Sequence, residues 1–414
     1  MKKRRVVITG LGVVACNGIG KDKFWQANKE GRSGIVKISS FNTDNFETKI
    51  AGEIRGFEPA QYMPAETAKK VDRFVHFGLA CAKMAIEDSG LNLEAEDKCR
   101  MGAVIGSGLG GMMFHETQLI AHFEKPNPRC HPTAVPRISP NAVSSHIAIQ
   151  YGLLGPNMVI STACASANHA LGEAFRKIQW GDMDLCLTGG VEATLSPLNF
   201  EAYYYLRVMS KHAVPEEASK PFDLNRDGFV LSEGGGLVVL EELEHARRRN
   251  APIYAEVIGY ASNSGAHHMV MPDLSGTDAS RVMTDALKDA GKPASGVDYI
   301  NAHATSTVAN DRAETLAIKK VFGEGAYKIP VSSTKSMIGH SLGAAGGIEA
   351  VVCSLAIKEG FIPPTINYKD KDPECDLDYV PNEGRAAKLN IVLSNSFGFG
   401  NCNACVVFAD YKGE

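Results

Sequence analysis

Three residues in this chain have the types and settings from which group-transfer chemistry is built. Cys164 sits in Ser161-Thr162-Ala163-Cys164-Ala165-Ser166-Ala167-Asn168-His169-Ala170, directly after the apolar run Met158-Val159-Ile160. That run has the length of one buried strand. The residues after it repeat Ala167, Ala170, Leu171, Ala174, Phe175 and Ile178 at helical spacing. Cys164 is therefore predicted on a strand-to-helix turn, its sulfur over the helix N-terminus. Unpaired backbone N–H groups and the helix dipole there favour a thiolate over a thiol. His303 lies in Asn301-Ala302-His303-Ala304-Thr305-Ser306-Thr307, just past a predicted strand end, where α/β folds place ligand-facing groups. His340 closes Ser332-Ser333-Thr334-Lys335-Ser336-Met337-Ile338-Gly339-His340, ahead of a glycine-rich helix. Alone, a cysteine is ordinarily a small buried hydrophobe and a histidine a satisfied structural group. Together, at corresponding strand ends, they suit activation of a thiol or the holding of a thioester oxygen as it becomes an enolate.

The elements that must position these residues follow from hydropathy. Val6-Val7-Ile8-Thr9 reads as a first strand, followed by a short helix over 21–29 and a long helix over 65–89. Strands are predicted at 101–106, 184–189 and 237–240, with a helix at 143–151. Between the last two strands runs an irregular, aromatic-rich stretch with Tyr203, Tyr204 and Tyr205, expected to be a lid or interface. The pattern then begins again. Residues 255–260 echo 6–12, 299–302 echo the strand ending at Gly106, 330–334 echo 159–163, and 390–396 echo 184–190. An α/β unit is thus duplicated, with halves at 1–250 and 251–414, the first carrying the cysteine and the second both histidines.

Composition agrees with this class. In 414 residues, 44% are hydrophobic, 22% charged and 41 are glycine, as in an α/β protein with a large core. A net charge of −4 argues against nucleic acid as a partner. Ten scattered cysteines point to a reducing compartment, the cytoplasm. Met1-Lys2-Lys3-Arg4-Arg5 and Val13-Val14-Ala15-Cys16 imitate a lipoprotein signal, but Thr9, Gly10 and Gly12 interrupt the apolar run. Recurrence of the pattern at 255–260 makes this segment part of the fold, and no run reaches the ~18 apolar residues of a membrane span.

Three motifs are set aside. Gly10-Leu11-Gly12-Val13-Val14-Ala15 and Gly106-Ser107-Gly108-Leu109-Gly110-Gly111 match a dinucleotide fingerprint, but neither has an acidic ribose ligand at the end of a following strand. Asp223-Leu224-Asn225-Arg226-Asp227-Gly228 opens like a calcium loop, yet Glu233 falls one residue early. Cys402-Asn403-Ala404-Cys405 lacks a second pair for zinc.

In their order, the motifs resemble those of β-ketoacyl-acyl carrier protein synthases of the elongating type, in the thiolase-like superfamily, and above all the synthase II branch. The resemblance spans nearly the whole chain: the Thr-Ala-Cys turn at Cys164, Arg226-Asp227-Gly228-Phe229-Val230, and His303 with Thr305 and Thr307. It continues through Ser333-Thr334-Lys335-Ser336, Gly339-His340, Pro363-Pro364-Thr365-Ile366-Asn367 and Asn395-Ser396-Phe397-Gly398-Phe399-Gly400. It implies a duplicated, five-layered αβαβα fold and a decarboxylative condensation of malonyl-carrier protein with an acyl chain on Cys164. It further implies an oxyanion hole from the backbone N–H groups of Cys164 and Phe399, and a malonyl carbonyl held by His303 and His340. Lys335, partnered by Asp311 and Glu349, would orient His340. Thr305 and Thr307 would contact the pantetheine arm, Phe399 would gate the acyl pocket, and Phe397 and His268 would line it. Leu109 would lie toward its floor at a dimer interface. Lys69, Lys70, Arg129 and Arg207 would face the acidic carrier protein. Neither metal nor organic cofactor is implied, and the assembly would be a homodimer or a heterodimer with a paralogue.

The departures fall around the pocket. Ala304 replaces the usual glycine after the first histidine, and Ala165 follows the nucleophile where Ser or Thr is common. Asn401-Cys402-Asn403 stands for Gly-Thr-Asn, and Val270 and Met271 replace small polar residues in His268-Met269-Val270-Met271-Pro272. They bear on chain preference, leaving open a specialised polyketide, polyene or unusual-lipid pathway. A thiolase would need a second catalytic cysteine, an initiating synthase an Asn in place of His340, and a chain-length factor would have lost Cys164. A dinucleotide oxidoreductase is the alternative outside the superfamily.

Overall fold

The structure, a computed structural model, describes residues 3–127 and 129–413. Five strands of the first half are β1 (Val6–Ala15), β2 (Met101–Gly106), β3 (Asn157–Ile160), β4 (Leu185–Glu192) and β5 (Gly234–Glu242). Five of the second are β6 (Ala255–Ser264), β7 (Tyr299–Asn301), β8 (Val331–Ser332), β9 (Ile391–Gly398) and β10 (Cys402–Ala409). They lie in the order β8-β7-β9-β10-β6-β1-β5-β4-β2-β3, with Gly18–Ile19 as an eleventh strand beside β1. Read outward from the centre, both halves have the order first, fifth, fourth, second, third. In each, the second strand runs parallel to both its neighbours. The halves meet where β1 and β6 pair antiparallel through Val6, Val7 and Ile8.

Six helices complete the layers: α1 (Arg73–Ser89), α2 (Ala142–Tyr151), α3 (Ser166–Trp180), α4 (Thr277–Asp289), α5 (Val308–Phe322) and α6 (Ala345–Glu359). α1 and α2 cover the outside of the first half-sheet, α4 and α5 the outside of the second, and α3 and α6 touch strands of both. This is the duplicated five-layered α/β arrangement, thiolase-like in topology. α6 explains its own position: from Ala345 to Ile357 every residue is buried, so it has no face to offer water. β1 is buried along its whole length, as a strand covered on both faces must be. Its glycines serve packing, since a Cβ on Gly10 or Gly12 would come within about 2 Å of the carbonyl of Ala85 or Cys81 in α1. The fingerprint-like spacing is accounted for by this close approach.

Two expected elements differ. The helix expected over 65–89 is broken: Ala65–Lys70 ends at extended Val71, and Asp72 caps α1 by accepting from the N–H of Arg73. Asp72 also accepts from Phe114 N–H, a contact invisible in helical periodicity. The stretch around Tyr203 is not irregular but a nine-residue helix, Pro197–Tyr205, with proline in its first turn. Cys402 and Cys405, three residues apart on β10, point to opposite faces of that strand. Among the described residues, no helix is long and apolar enough to cross a membrane.

Behind β5, far along the chain from the three candidate residues, a charged cluster ties α1's end to the sheet. His245 Nδ1 lies 2.6 Å from Glu241 and Nε2 lies 2.9 Å from Glu96. Glu241, fully buried, also accepts from Thr9 Oγ1 and from Nε and Nη2 of Arg249, whose Nη1 donates to the Ser89 carbonyl at the end of α1. The hydrogen bond to Glu241 raises the His245 pKa above its ordinary value. Stability from this pair is therefore fully present below the unfolded pKa of about 6.5 and lost as pH rises through the folded value. We expect His245→Gln to lower urea-unfolding stability by about 1 kcal/mol at pH 6 and by clearly less at pH 9. An equal loss at both pH values would show that the imidazole is not charged in the fold.

Candidate active site

Cys164 and His303 each follow a strand end, and His340 follows the short helix Lys335–Ile338 after β8. Cys164 follows β3 on a tight turn in which Ala163 adopts φ 51°, a left-handed conformation costly for alanine. Ser166 holds it there: its hydroxyl accepts from Thr162 N–H at 2.9 Å and donates to the Ala163 carbonyl at 2.6 Å. His303 follows β7, its backbone N–H and that of Ala304 donating to buried Glu314 at 3.0 and 2.8 Å. His340 is clamped by the Phe229–Ser232 region. Its N–H donates to Val230 at 2.7 Å, and its carbonyl accepts from Ser232 at 3.0 Å.

These turns converge on one cavity lined by Cys164, His303, His340, Phe229, Thr305 and Thr307, among others. One sulfur and one nitrogen from each histidine lie within 4.8 Å of one another. His340 Nε2 is 3.0 Å from Cys164 Sγ. The two imidazoles meet edge to face at 5.4 Å, and Phe229 and Phe397 stand edge-on to His340 and His303. The backbone N–H groups of Phe399 and of Cys164 itself lie near enough to the sulfur to favour its anion. Gly398 makes that approach possible, since a Cβ there would meet the Thr162 carbonyl at 2.7 Å.

Burial dominates the electrostatics. It pushes the Cys164 thiol up to about 12, against the opposing pull of Lys335 and the two backbone N–H groups. The expected thiolate preference at the helix N-terminus is thus overturned: desolvation outweighs the dipole, and the resting group is a thiol. Burial, with Lys335 adding to it, also holds both histidines well below the ordinary imidazole value, so both are neutral. Lys335 is buried beneath the cavity and paired with buried Glu349.

Asp311 is not in that pair, contrary to expectation. Its carboxylate accepts from Phe222 N–H at 2.9 Å and lies 3.6 Å from the buried guanidinium of Arg226. Arg226 also bonds Asp372 at 2.6 Å and the Thr307 and Val308 carbonyls. The ion pair thus braces the Thr305–Thr307 turn, not His340. Thr305 and Thr307 share a 3.0 Å hydroxyl bond on the cavity wall, where Phe397 and Phe399 also stand.

His268 and Leu109 do not line the cavity. The imidazole of His268 accepts from Val270 and Met271 N–H and so shapes the loop that does. The Leu109 backbone, with that of Gly108, is drawn to buried Glu192 at 3.2 and 2.7 Å. Lys69, Lys70, Arg129 and Arg207 are all exposed, Lys69 beside Glu66 at 3.2 Å. Arg207 alone adjoins a lining residue, Val208. Sequence reading missed Glu192 and Glu314, whose one signal is an acid amid buried neighbours, and it assigned no role to Arg226 or Asn401.

The profile of the β-ketoacyl synthase N-terminal domain matches residues 3–246 and that of the C-terminal domain residues 254–369. The 3-oxoacyl-[acyl-carrier-protein] synthase 2 of Coxiella burnetii is 46% identical over 410 residues, covering 99% of each chain. A ketosynthase of a type II polyketide synthase, solved with its acyl-carrier protein and a hexaketide, superposes with a TM-score of 0.91 at 36% identity, covering 99% of this chain and 100% of that one. The ishigamide ketosynthase/chain length factor does so at 0.93 and 34%, with the same coverage. The chain belongs to the β-ketoacyl synthase family. It is an acyltransferase of the 3-oxoacyl-[acyl-carrier-protein] synthase type.

Removing the ammonium beneath this site strands a carboxylate. Lys335→Met should cost about 3–5 kcal/mol in urea unfolding, because Glu349 is left buried without a partner. Lys335→Met/Glu349→Gln should recover most of that loss. A single variant as stable as the parent would mean that the pair does not support the fold.

Proposed function

We propose that this chain condenses malonyl-carrier protein with an acyl group held on Cys164, and that Cys164, His303, His340, Lys335 and the Phe399 backbone carry the reaction. The observation behind this reading is the convergence on one sulfur of His340 Nε2 and two backbone N–H groups. In the first half-reaction the thiol attacks an acyl thioester while His340 Nε2 takes its proton and delivers it to the departing pantetheine sulfur. The amides of Cys164 and Phe399 receive the developing oxyanion. With the sulfur acylated, His340 has lost its resting partner. Its single proton moves from Nδ1 to Nε2, and it then joins His303 in donating to the malonyl thioester carbonyl. The carboxylate leaves as CO₂, and the electron pair of the broken C–C bond forms an enolate held by two neutral imidazoles. That carbon attacks the acyl carbonyl, the C–S bond to Cys164 breaks, and the thiolate takes up one proton. Decarboxylation supplies the carbanion, so the cycle calls for neither metal nor organic cofactor.

Thr305 and Thr307 hold the pantetheine arm, Phe397 and Phe399 wall the acyl group, and Glu349 keeps Lys335 in place. Lys69, Lys70, Arg129 and Arg207 are read as the basic contacts of an acidic carrier protein, with Arg207 nearest the cavity. A homodimer, or a pair with a paralogue, is favoured by Ile120, Phe123 and Val135, apolar side chains exposed on neighbouring segments, Phe123 to 81% and Val135 to 80%. Leu109 would meet that interface. The cytoplasm is the expected location, and a boundary at 250/251 separates the halves. A specialised ketosynthase is the second reading, favoured by Val270 and Met271 on the cavity wall.

Intact mass after mixing with acyl-carrier proteins tests the main reading. The wild type should gain one acyl group, cleared by malonyl-carrier protein to a 3-oxoacyl product, and Cys164→Ala should gain none while remaining folded. His303→Ala and His340→Ala should each lower malonyl decarboxylation about 100- to 1,000-fold. Elongation by Cys164→Ala, or undiminished decarboxylation in both histidine variants, would overturn the assignment.

A further inference from the structure

Cys164 and His340 come from opposite halves of the chain, yet their reactive atoms stand 3.0 Å apart. One carboxylate joins the turns that carry them. Glu192, the last residue of β4, is fully buried. Its Oε2 accepts from Gly108 N–H at 2.7 Å and from Gly343 N–H at 3.1 Å, and its Oε1 accepts from Leu109 N–H at 3.2 Å. Gly108 supports the nucleophile's turn: its carbonyl accepts from Ser161 Oγ at 3.0 Å. Ser107, beside it, donates its N–H to the Ile160 carbonyl at 3.1 Å. Gly343 belongs to the turn after His340, where Leu342 lines the cavity and adopts φ 50°, a left-handed conformation costly for leucine. The two turns are in contact, since a Cβ on Gly343 would come within 2.4 Å of the Gly108 nitrogen and 2.5 Å of Glu192 Oε2.

We propose that Glu192 is a positioning residue for the Cys164–His340 pair, bridging the turn after His340 to the loop that braces the nucleophile's turn. A single oxygen makes the bridge, because Oε2 takes one N–H from each side. Without it, two buried N–H groups would meet with no acceptor between them, and the turns would part to relieve the loss. Parting them lengthens the path by which the thiol passes its proton to Nε2. Misplacements of this kind are costly to a proton transfer even when they begin far from the reacting atoms. The hydrogen bonds of Glu192 go to the turns and not to the sulfur or the imidazole, so it acts through them. Its charge is also felt at Cys164, where it opposes ionisation of the thiol. Reach and charge therefore predict different behaviour when the side chain is changed.

This inference rests on reading Cys164 as the nucleophile and His340 as its base, and its primary test needs no carrier protein. Iodoacetamide alkylates Cys164 as the sulfur displaces iodide and its proton passes to His340, and the reaction is followed on the peptide that holds Cys164. Glu192→Gln keeps an oxygen for Gly108 and Gly343 and removes the charge. Glu192→Asp keeps the charge but is one methylene too short to reach both turns. Alkylation should slow about tenfold in Glu192→Asp and stay within about threefold of the wild type in Glu192→Gln. Gly343→Ala, which wedges the same two turns apart, should reproduce the Glu192→Asp defect. Cys81, buried in α1 away from the cavity, is the internal control and should stay unmodified throughout. Single-turnover acylation of Cys164 gives the second readout: in Glu192→Asp its maximal rate should fall about tenfold with the half-saturating concentration unchanged. Wild-type alkylation in Glu192→Asp, or equal slowing in Glu192→Gln and Glu192→Asp, would overturn the bridge. So would alkylation of Cys81 in the variants, which would reduce Glu192 to a general support of the fold. Absence of acylation in the wild type, with the alkylation pattern as expected, would count against the acyl-site reading instead.

Discussion

A lysine and a glutamate, each about 98% removed from solvent, face one another beneath the cavity, and the chemistry above them depends on that pair. A buried ammonium is tolerated only when compensated, and Glu349 on α6 supplies the compensation. In a site this dry the charge acts at a distance that water would otherwise screen. It adds to burial in keeping both histidines neutral, and it partly offsets burial at Cys164. The pair is a modest contributor to folding, since two apolar residues of the same volume could pack equally well. Its effect is electrostatic and secondary to burial, which is the larger influence on the protonation of all three reactive groups.

Duplication explains how those groups meet. Each half sends one central helix, α3 or α6, between the two half-sheets, and the turns that precede these helices carry Cys164 and His340. The loops after the second strand of each half are held by the same device. In the first, buried Glu192 accepts from the N–H groups of Gly108 and Leu109, the second and third residues past β2. In the second, buried Glu314 accepts from His303 and Ala304, the second and third residues past β7. Burial pushes both carboxyls up to about 7. One half uses the braced loop to shape the protein beside the nucleophile; the other uses it to present an imidazole.

What could be read beforehand was whatever is local in the chain. Cys164, His303 and His340 were legible because each follows an apolar strand and lies in a turn with recognisable neighbours, and the repeat of strand spacings exposed the duplication. Partnership across the fold was not legible. Nothing in the spacing of Lys335, Asp311 and Arg226 shows that Asp311 turns to Arg226 and leaves Lys335 to Glu349. The thiolate expectation failed for a related reason: a helix terminus can be read from sequence, but the depth at which the thiol is buried cannot. Helical periodicity ran through Val71 because the capping role of Asp72 depends on Arg73 and Phe114 in three dimensions. Asn401 stood out only as a departure from a glycine, and its partners at 267–271 lie some 130 residues away.

The central claim is that two neutral, desolvated imidazoles hold the enolate. The direct measurement is the rate of CO₂ release from malonyl-carrier protein by the wild-type enzyme between pH 5.5 and 8. Both folded-state histidine pKa values lie well below 6.5, so the neutral donors persist down through that pH. The histidines should therefore contribute no fall across 6.5, and a step near 7 belongs to Glu192 or Glu314 and should vanish in Glu192→Gln or Glu314→Gln. An inflection near 6.5 that survives both substitutions would mean that at least one histidine titrates like a solvated imidazole, and would contradict the neutral two-histidine site.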